Sequence, residues 1–138
     1  MYLIDTNVIG ELRKRDKANH GVRAFFRQVI SADTEMYLSV VTVGELRRGV
    51  ELIRHRGDIK QADQLEAWLA DILQNFAQNI LPIDADVSQV WGRLRVPHPE
   101  HELDKLIAAT ALLHDLTVVT RNVVNFAKTR VPLLNPFS

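Results

Sequence analysis

The 138-residue sequence contains no cysteine, which excludes a disulfide scaffold and a metal site built on thiolates. It has no excess charge either, because 17 basic residues balance 17 acidic ones, so only a local basic patch could attract a polyanion. No signal-type region precedes Met1, and no apolar run approaches the ~18 residues that cross a bilayer. We therefore expect a soluble cytoplasmic protein with no membrane segment.

Linkers and repeats are also missing. No Gly/Ser-rich stretch, internal repeat or low-complexity segment divides the chain, and 46% of the residues are hydrophobic, which is enough to fill one core. We expect residues 1–138 to form a single domain.

Short apolar segments alternate with helical periodicity along the chain. Five segments have the length and composition of strands: Tyr2–Ile4, Met36–Val40, Ile80–Pro82, Thr117–Thr120 and Val131–Leu134. Apolar residues at helical spacing lie between them, in ranges 8–12, 22–29, 41–54, 58–76, 84–94 and 102–114. Strands that alternate with helices form a parallel sheet covered on both faces, so the expected α/β fold is a three-layer α/β/α sandwich.

The first predicted strand stops abruptly at Asp5, which is followed by Thr6 and Asn7. The carboxyl ends of parallel strands form the edge where α/β proteins build their sites, so a metal ion or substrate is expected at Asp5. Thr6 and Asn7 either hold this carboxylate and the waters of an ion or cap the first helix, and both roles are compatible. Thr120 ends another strand at the same edge.

Two further acids lie on predicted helices, and each has an ordinary explanation. Glu45 lies off the apolar stripe of helix 41–54, where a solvated side chain paired with Arg48 is the simpler interpretation. Asp104 lies in the first turn of helix 102–114, where any acid stabilises the helix dipole. Neither residue alone predicts a site.

Together, however, four segments resemble a known family in their order and spacing. They are LIDTNVI at 3–9, LSVVTVGELRRG at 38–49, DKLIAATA at 104–111 and VVTRNV at 118–123. These segments resemble the signature blocks of PIN-domain ribonucleases, above all the VapC-type toxins of bacterial toxin–antitoxin pairs. The closing residues Leu134–Phe137 also resemble the usual ending of that group.

The resemblance implies an endoribonuclease that depends on Mg²⁺ or Mn²⁺ and leaves a 5′-phosphate and a 3′-hydroxyl. Asp5 and Asp104 are then the expected metal ligands, since hard cations prefer carboxylate oxygens. Glu45 is expected to orient or deprotonate the attacking water. The resemblance also implies an inhibitory antitoxin, through which the complex binds DNA, and a homodimer formed by residues 16–30 and 41–56.

The sequence departs from the resembled family at one point. The family usually supplies a further acid at the third position of the Thr-Arg-Asn block or three residues later, and both positions are amides here, Asn122 and Asn125. An amide oxygen can ligate a hard cation but adds no charge, so weaker metal affinity or a site with one firmly bound ion is expected. Glu102 could compensate, although a capping or solvated acid is the simpler interpretation.

Basic and aromatic residues are the candidates for contact with an RNA substrate. Arg121 suits an RNA phosphate or a solvated surface. The same two interpretations apply to a set of cations that could surround the acids, namely Arg13, Lys14, Arg15, Arg47, Arg48, Arg93 and Arg95. The five histidines lack zinc-ligand spacing, and Trp68 and Trp91 fit apolar helical stripes, so we expect the tryptophans to be core residues and not base-stacking platforms.

Two alternatives to an active ribonuclease remain. One is a catalytically weakened PIN-fold protein that binds RNA or an antitoxin. The other is a different Mg²⁺-using α/β enzyme, which the sequence disfavours. An aspartyl-phosphate enzyme typically has an acid where this chain has Asn7, and no Gly-rich Lys-Ser/Thr turn of a P-loop is present.

Overall fold

A computed structural model describes residues 1–138. Its strands are β1 (Tyr2–Ile4), β2 (Met36–Ser39), β3 (Ile80–Leu81), β4 (Thr117–Val119) and β5 (Leu133–Leu134). Its α-helices are α1 (Thr6–Ile9), α2 (His20–Ser31), α3 (Val40–His55), α4 (Ile59–Asn75), α5 (Ala85–Leu94), α6 (Glu102–His114) and α7 (Val123–Phe126). Two 3₁₀ segments span Gly10–Lys17 and Ala127–Thr129. None of the helices combines the length and the apolar character that spanning a bilayer requires.

The five strands form one parallel sheet in the order β3-β2-β1-β4-β5. Tyr2 of β1 lies opposite Met36 of β2 on one side and Thr117 of β4 on the other. The chain therefore winds outward from β1 to β3 and then crosses back to place β4 against the other side of β1. The carboxyl ends of β1 and β4 flank the point where the winding direction changes, which is the usual place for a site in such sheets.

Alternate residues of the central strands face two separate cores. Leu3 and Val118 pack with Ile107 and Ala108 of α6, whereas Ile4 and Val119 pack with apolar residues of α2, α3 and α4. Each of these four strand residues is fully buried. A sheet that buries both faces between helices is the three-layer α/β/α sandwich expected from the sequence, and the predicted fold class is confirmed.

Several element boundaries differ from the sequence prediction because polar side chains end the elements early. The second strand ends at Ser39, not at Val40, since the Ser39 hydroxyl caps α3 by accepting from the Val41 backbone N–H at 3.0 Å. The fourth strand ends at Val119, and the hydroxyl of the next residue, Thr120, donates to Asp5 Oδ2 at 2.7 Å. Helix α2, by contrast, begins at His20, two residues before the predicted range, and the side-chain oxygen of Asn19 caps it by accepting from two N–H groups of its first turn.

Candidate active site

Asp5 lies directly after β1 and is almost completely buried, with 3% of its surface exposed. Its Oδ1 accepts from the Thr6 backbone N–H at 2.8 Å, which makes it the N-cap of α1. Its Oδ2 accepts from the Thr120 hydroxyl at 2.7 Å and from Asn7 Nδ2 at 3.1 Å. The three polar residues that the sequence placed near Asp5 therefore all contact its carboxylate.

Burial raises the pKa of Asp5 from 3.8 to about 6. The hydrogen bonds from Thr120 and Thr6 oppose that effect, and the negative charges of Asp104 and Glu45 add to it. Both acids therefore act on Asp5 electrostatically, although they lie 99 and 40 positions away in the sequence.

Glu45 projects from α3 toward the same edge of the sheet and is half-buried. Its Oε1 accepts from the Thr6 hydroxyl at 2.7 Å, and that hydroxyl also lies 3.2 Å from the hydroxyl of Thr42. Its Oε2 makes no hydrogen bond with the protein. Glu45 therefore does not form the expected ion pair with Arg48. Its carboxylate is held by Thr6 instead.

Asp104 lies in the first turn of α6 and is half-buried. Its Oδ2 accepts from the side-chain amide of Asn125, on α7, at 3.0 Å, while its Oδ1 makes no hydrogen bond with the protein. Asn125 therefore turns its N–H group toward the acid that was predicted to be a metal ligand. Asn122 has a different position, because its side chain is exposed and makes no hydrogen bond, while its backbone N–H donates to the Thr120 hydroxyl at 2.9 Å.

The acids come within electrostatic range but do not form a tight cage. No three acidic or histidine side chains approach closely enough to hold a metal ion by themselves. Glu102 does not join the acids, since it is exposed, lies 3.7 Å from the Arg95 guanidinium and accepts from the Trp91 indole through its backbone oxygen. The surface interpretation of Glu102 is the one that its contacts favour.

The donor set nevertheless fits a hard divalent cation. None of Asp5, Glu45 and Asp104 is paired with a lysine or arginine, so their charge is uncompensated at a partly buried edge. Asp104 Oδ1 is free, and Asp5 Oδ1 accepts only one hydrogen bond. Mg²⁺ and Mn²⁺ commonly bind through one or two carboxylates and keep several of their waters, and this site offers such an arrangement.

The cations that the sequence singled out occupy different environments. Arg13 and Lys14 line a cavity of about 270 Å³ together with Thr6, Asn7 and Glu45. Arg47 makes a bidentate ion pair with Glu66, at 2.7 and 2.6 Å, so an RNA phosphate would have to compete with that carboxylate. The remaining four cations of the set also differ in their contacts. Arg48 is exposed without an ion pair, Arg95 stacks on Trp91 at 4.6 Å, and Arg15 and Arg93 line two other cavities.

Two residues that the sequence did not indicate, Thr42 and Phe137, also contact residues of the site. Thr42 stands one helical turn before Glu45, and that spacing could have suggested its contact with Thr6. Phe137 lies under the guanidinium of Arg121, with Cζ 4.7 Å from the ring centroid, and no sequence signal connects these residues. Trp68 is half-buried against the larger core, as expected, whereas Trp91 is covered by Arg95.

With this geometry in place, comparison with known proteins decides the family. The sequence matches the PIN domain over residues 2–131. The chain belongs to the PIN domain family. It is 38% identical to Toxin FitB of Neisseria gonorrhoeae, over 99% of both chains. It is 32% identical to the VapC ribonuclease Y4jK of Sinorhizobium fredii, over 99% of this chain and 98% of that protein. The resemblance to VapC-type toxins is confirmed.

Solved structures agree with this assignment. The crystal structure of FitAcB from Neisseria gonorrhoeae matches this PIN-domain chain with a TM-score of 0.85 and 39% identity, over 99% of this chain and 98% of that one. The structure of FitAB bound to an IR36 DNA fragment matches with a TM-score of 0.77 and 35% identity, over 100% of this chain and 96% of that one. The shared fold therefore extends across the whole chain.

Proposed function

We propose that this PIN-domain protein is a metal-dependent endoribonuclease that acts in the cytoplasm as the toxin of a toxin–antitoxin pair. The observation that carries the proposal is the state of Asp5. It is a buried carboxylate at the switch point of a parallel sheet, its pKa is raised to about 6, and no cation of the protein compensates its charge. Burying a carboxylate without a compensating cation destabilises its charged form, and such groups are concentrated at binding and catalytic sites.

Asp5 and Asp104 are the residues that would hold Mg²⁺ or Mn²⁺, with Asn7 and Thr120 fixing the orientation of Asp5. When bound, the ion would lower the pKa of a water and offset charge that develops on the scissile phosphate. Glu45 Oε2, which is free of hydrogen bonds, would accept a proton from the attacking water. Thr6 holds Glu45 Oε1 and so sets the direction of that carboxylate.

Substrate binding is assigned to the cations around the acids. Arg121, Arg48 and Arg47 are proposed to contact RNA phosphates, and Arg13 and Lys14 line the cavity that Glu45 enters. Arg121 and Arg48 have no carboxylate partner, whereas Arg47 must leave Glu66 to take part. A local positive rim can attract RNA although the whole chain is neutral.

The proposed partner is an antitoxin protein that blocks the site and carries the complex to DNA. Its support is the similarity to Toxin FitB and to the FitAB structure, which contains a DNA fragment. We also propose a homodimer that uses residues 16–30 and 41–56, where Ile30 exposes 68% of its surface.

The test is to express the protein without a partner in a bacterial host and to map new RNA 5′-ends. Wild-type protein should arrest growth and produce cut sites that carry a 5′-phosphate. Asp104→Asn should give neither, while Asp115→Asn, an exposed acid at the other end of α6, should behave like wild type. Equal RNA cutting by soluble wild-type and Asp104→Asn protein would refute the proposal.

A catalytically weakened binding protein is the second candidate, and the amides at 122 and 125 are the observation that favours it. The same experiment separates the two candidates. A weakened protein that still binds its antitoxin would leave RNA intact at every expression level, and it would be recovered in a complex with the neighbouring gene product.

A further inference from the structure

Arg121 is a cation without a carboxylate partner at the edge of the proposed active site. It follows Thr120, and its backbone N–H donates to Asn7 Oδ1 at 3.0 Å, so the same amide side chain that holds Asp5 also fixes the backbone of Arg121. Its guanidinium is exposed and makes neither an ion pair nor a hydrogen bond with the protein. Its donors are therefore available to an external anion.

The guanidinium of Arg121 is nevertheless held in place, because it lies over the ring of Phe137 at 4.7 Å from Cζ to the centroid. Stacking on an aromatic ring engages the face of the planar guanidinium and leaves the N–H groups at its rim free. An arginine stacked in this way has already given up part of the rotamer freedom that it would otherwise lose on binding a phosphate.

Phe137 is in turn anchored by the segment 135–138, which docks on the start of α2. Asn19, the N-cap of α2, donates to the Ser138 backbone oxygen at 3.2 Å and accepts from the Ser138 N–H at 3.1 Å. The Gly21 N–H donates to the Ser138 hydroxyl at 3.1 Å. Gly21 also allows the close approach itself, because a Cβ at this position would lie 2.2 Å from the Pro136 carbonyl oxygen.

We propose that Phe137 is a positioning residue for substrate: on the docked segment 135–138 it holds the Arg121 guanidinium ready to bind a phosphate of single-stranded RNA beside the acidic site. The inference rests on the proposed ribonuclease function.

The experiment is a double-mutant cycle with Arg121→Ala and Phe137→Leu, measured as the Kd of a fluorescently labelled single-stranded RNA by anisotropy in EDTA. Phe137→Leu should weaken binding about 2- to 5-fold, the range of an exposed cation–π contact, and Arg121→Ala about tenfold. Because Phe137 acts through Arg121, the double variant should bind no more weakly than Arg121→Ala alone. Phe137→Tyr, which keeps the ring, should bind like wild type.

Controls separate positioning from general damage. Phe76→Leu removes a partly buried ring at the end of α4, and Lys60→Ala removes an exposed cation at the start of the same helix. Neither variant should change the Kd. The inference is overturned if Phe137→Leu has no effect on binding, or if it has its full effect in the Arg121→Ala background.

Gly21→Ala provides a second route that leaves both stacked residues intact. The added methyl group should displace segment 135–138 and reproduce the loss seen in Phe137→Leu, with the protein still folded by circular dichroism. Unchanged binding by a folded Gly21→Ala protein would contradict the inference.

Cleavage of the same RNA after Mn²⁺ is added tests the proposed function separately, since failure of wild type to cleave leaves the binding cycle interpretable. If wild type does cleave, Phe137→Leu should raise KM and leave kcat unchanged.

Discussion

The hydroxyl of Thr120 donates to Asp5 Oδ2 at 2.7 Å across 115 positions of sequence, and it thereby ties the end of β4 to the end of β1. The same oxygen of Thr120 accepts from the Asn122 backbone N–H at 2.9 Å. One buried hydroxyl therefore orients the proposed metal ligand and also shapes the loop that carries Arg121. The contact can form only because β1 and β4 are adjacent in the sheet, so the strand order determines the geometry of the site.

Thr120→Val should damage the site while preserving the side-chain shape. The variant removes a donor that lowers the pKa of Asp5, so this pKa should rise further, and the buried Asp5 Oδ2 should keep only its hydrogen bond from Asn7. We expect the free energy of unfolding at pH 8 to fall by about 1–3 kcal/mol. Urea denaturation measures this change. Thr120→Ser retains the hydroxyl and should recover most of the loss, and equal stability of the Val and Ser variants would show that the hydrogen bond is unimportant.

Asp5→Asn should become more stable relative to wild type as the pH rises. Folding raises the pKa of Asp5 from 3.8 to about 6, so the folded state binds the proton more tightly than the unfolded chain does. The stability of the wild type therefore falls as the pH rises between about 4 and about 6, and it stays at the lower level above that window. Asp5→Asn lacks this titration. The free energy of unfolding of the variant minus that of the wild type should therefore be up to about 3 kcal/mol larger at pH 8 than at pH 4.

The measurement for Asp5→Asn is denaturant unfolding of both proteins in metal-free buffer at a series of pH values. Subtracting the wild-type curve from that of the variant cancels the titration of all other groups. A difference that does not depend on pH would show that Asp5 ionises normally in the folded protein.

Asn125→Asp should make the site more dependent on metal. The variant replaces an N–H group that donates to Asp104 at 3.0 Å by a second carboxylate, so without an ion the two acids repel and the thermal midpoint should fall. An added charge near a divalent ion should tighten Mn²⁺ binding by roughly 1 kcal/mol, about fivefold. Calorimetric titration of Mn²⁺ measures the affinity. Asn122→Asp, at an exposed position, should give a smaller gain, and no gain in either variant would place both positions outside the metal site.

Arg48→Ala and Arg47→Ala form a matched pair on one helix. Arg48 is exposed and unpaired, so its loss should weaken RNA binding without changing stability, and the salt dependence of binding should decrease. Arg47 is engaged by Glu66, so its loss should cause a small loss of stability, with a weaker effect on RNA binding. Anisotropy with labelled RNA at several salt concentrations distinguishes them. An equal loss of RNA affinity in both variants would mean that the Arg47–Glu66 pair opens readily.

The sequence predicted the strands and the position of Asp5 because both follow from short-range patterns. Buried strands are short apolar runs, and an acid directly after one must lie at the carboxyl edge of a parallel sheet. Thr6, Asn7 and Thr120 could be assigned for the same reason, as each directly follows or ends a strand.

Contacts between side chains on different elements were not predictable from spacing. Glu45 looked solvated because helical periodicity records only the packing of its own helix, and its contact with Thr6 depends on how α3 lies against α1. Asn125 was considered only as an amide whose oxygen could ligate a metal ion, and the hydrogen bond from its N–H group to Asp104 depends on how α7 lies against α6. The pairing of Arg47 with Glu66 and of Arg121 with Phe137 depends likewise on tertiary packing.

We propose that Asp5 and Asp104 hold the divalent ion needed to cleave RNA, and a cleavage assay with purified protein is the direct test of that role. Single-turnover cleavage of labelled RNA should be absent in EDTA and should appear on addition of Mn²⁺ to wild type. Asp5→Asn and Asp104→Asn should each reduce the rate at least 100-fold, since loss of a group that only supports a metal ligand already costs about 10- to 100-fold, while Asp115→Asn keeps it. If wild type cleaves RNA in EDTA, or if a folded Asp5→Asn protein cleaves at the wild-type rate, Asp5 does not hold an ion required for cleavage.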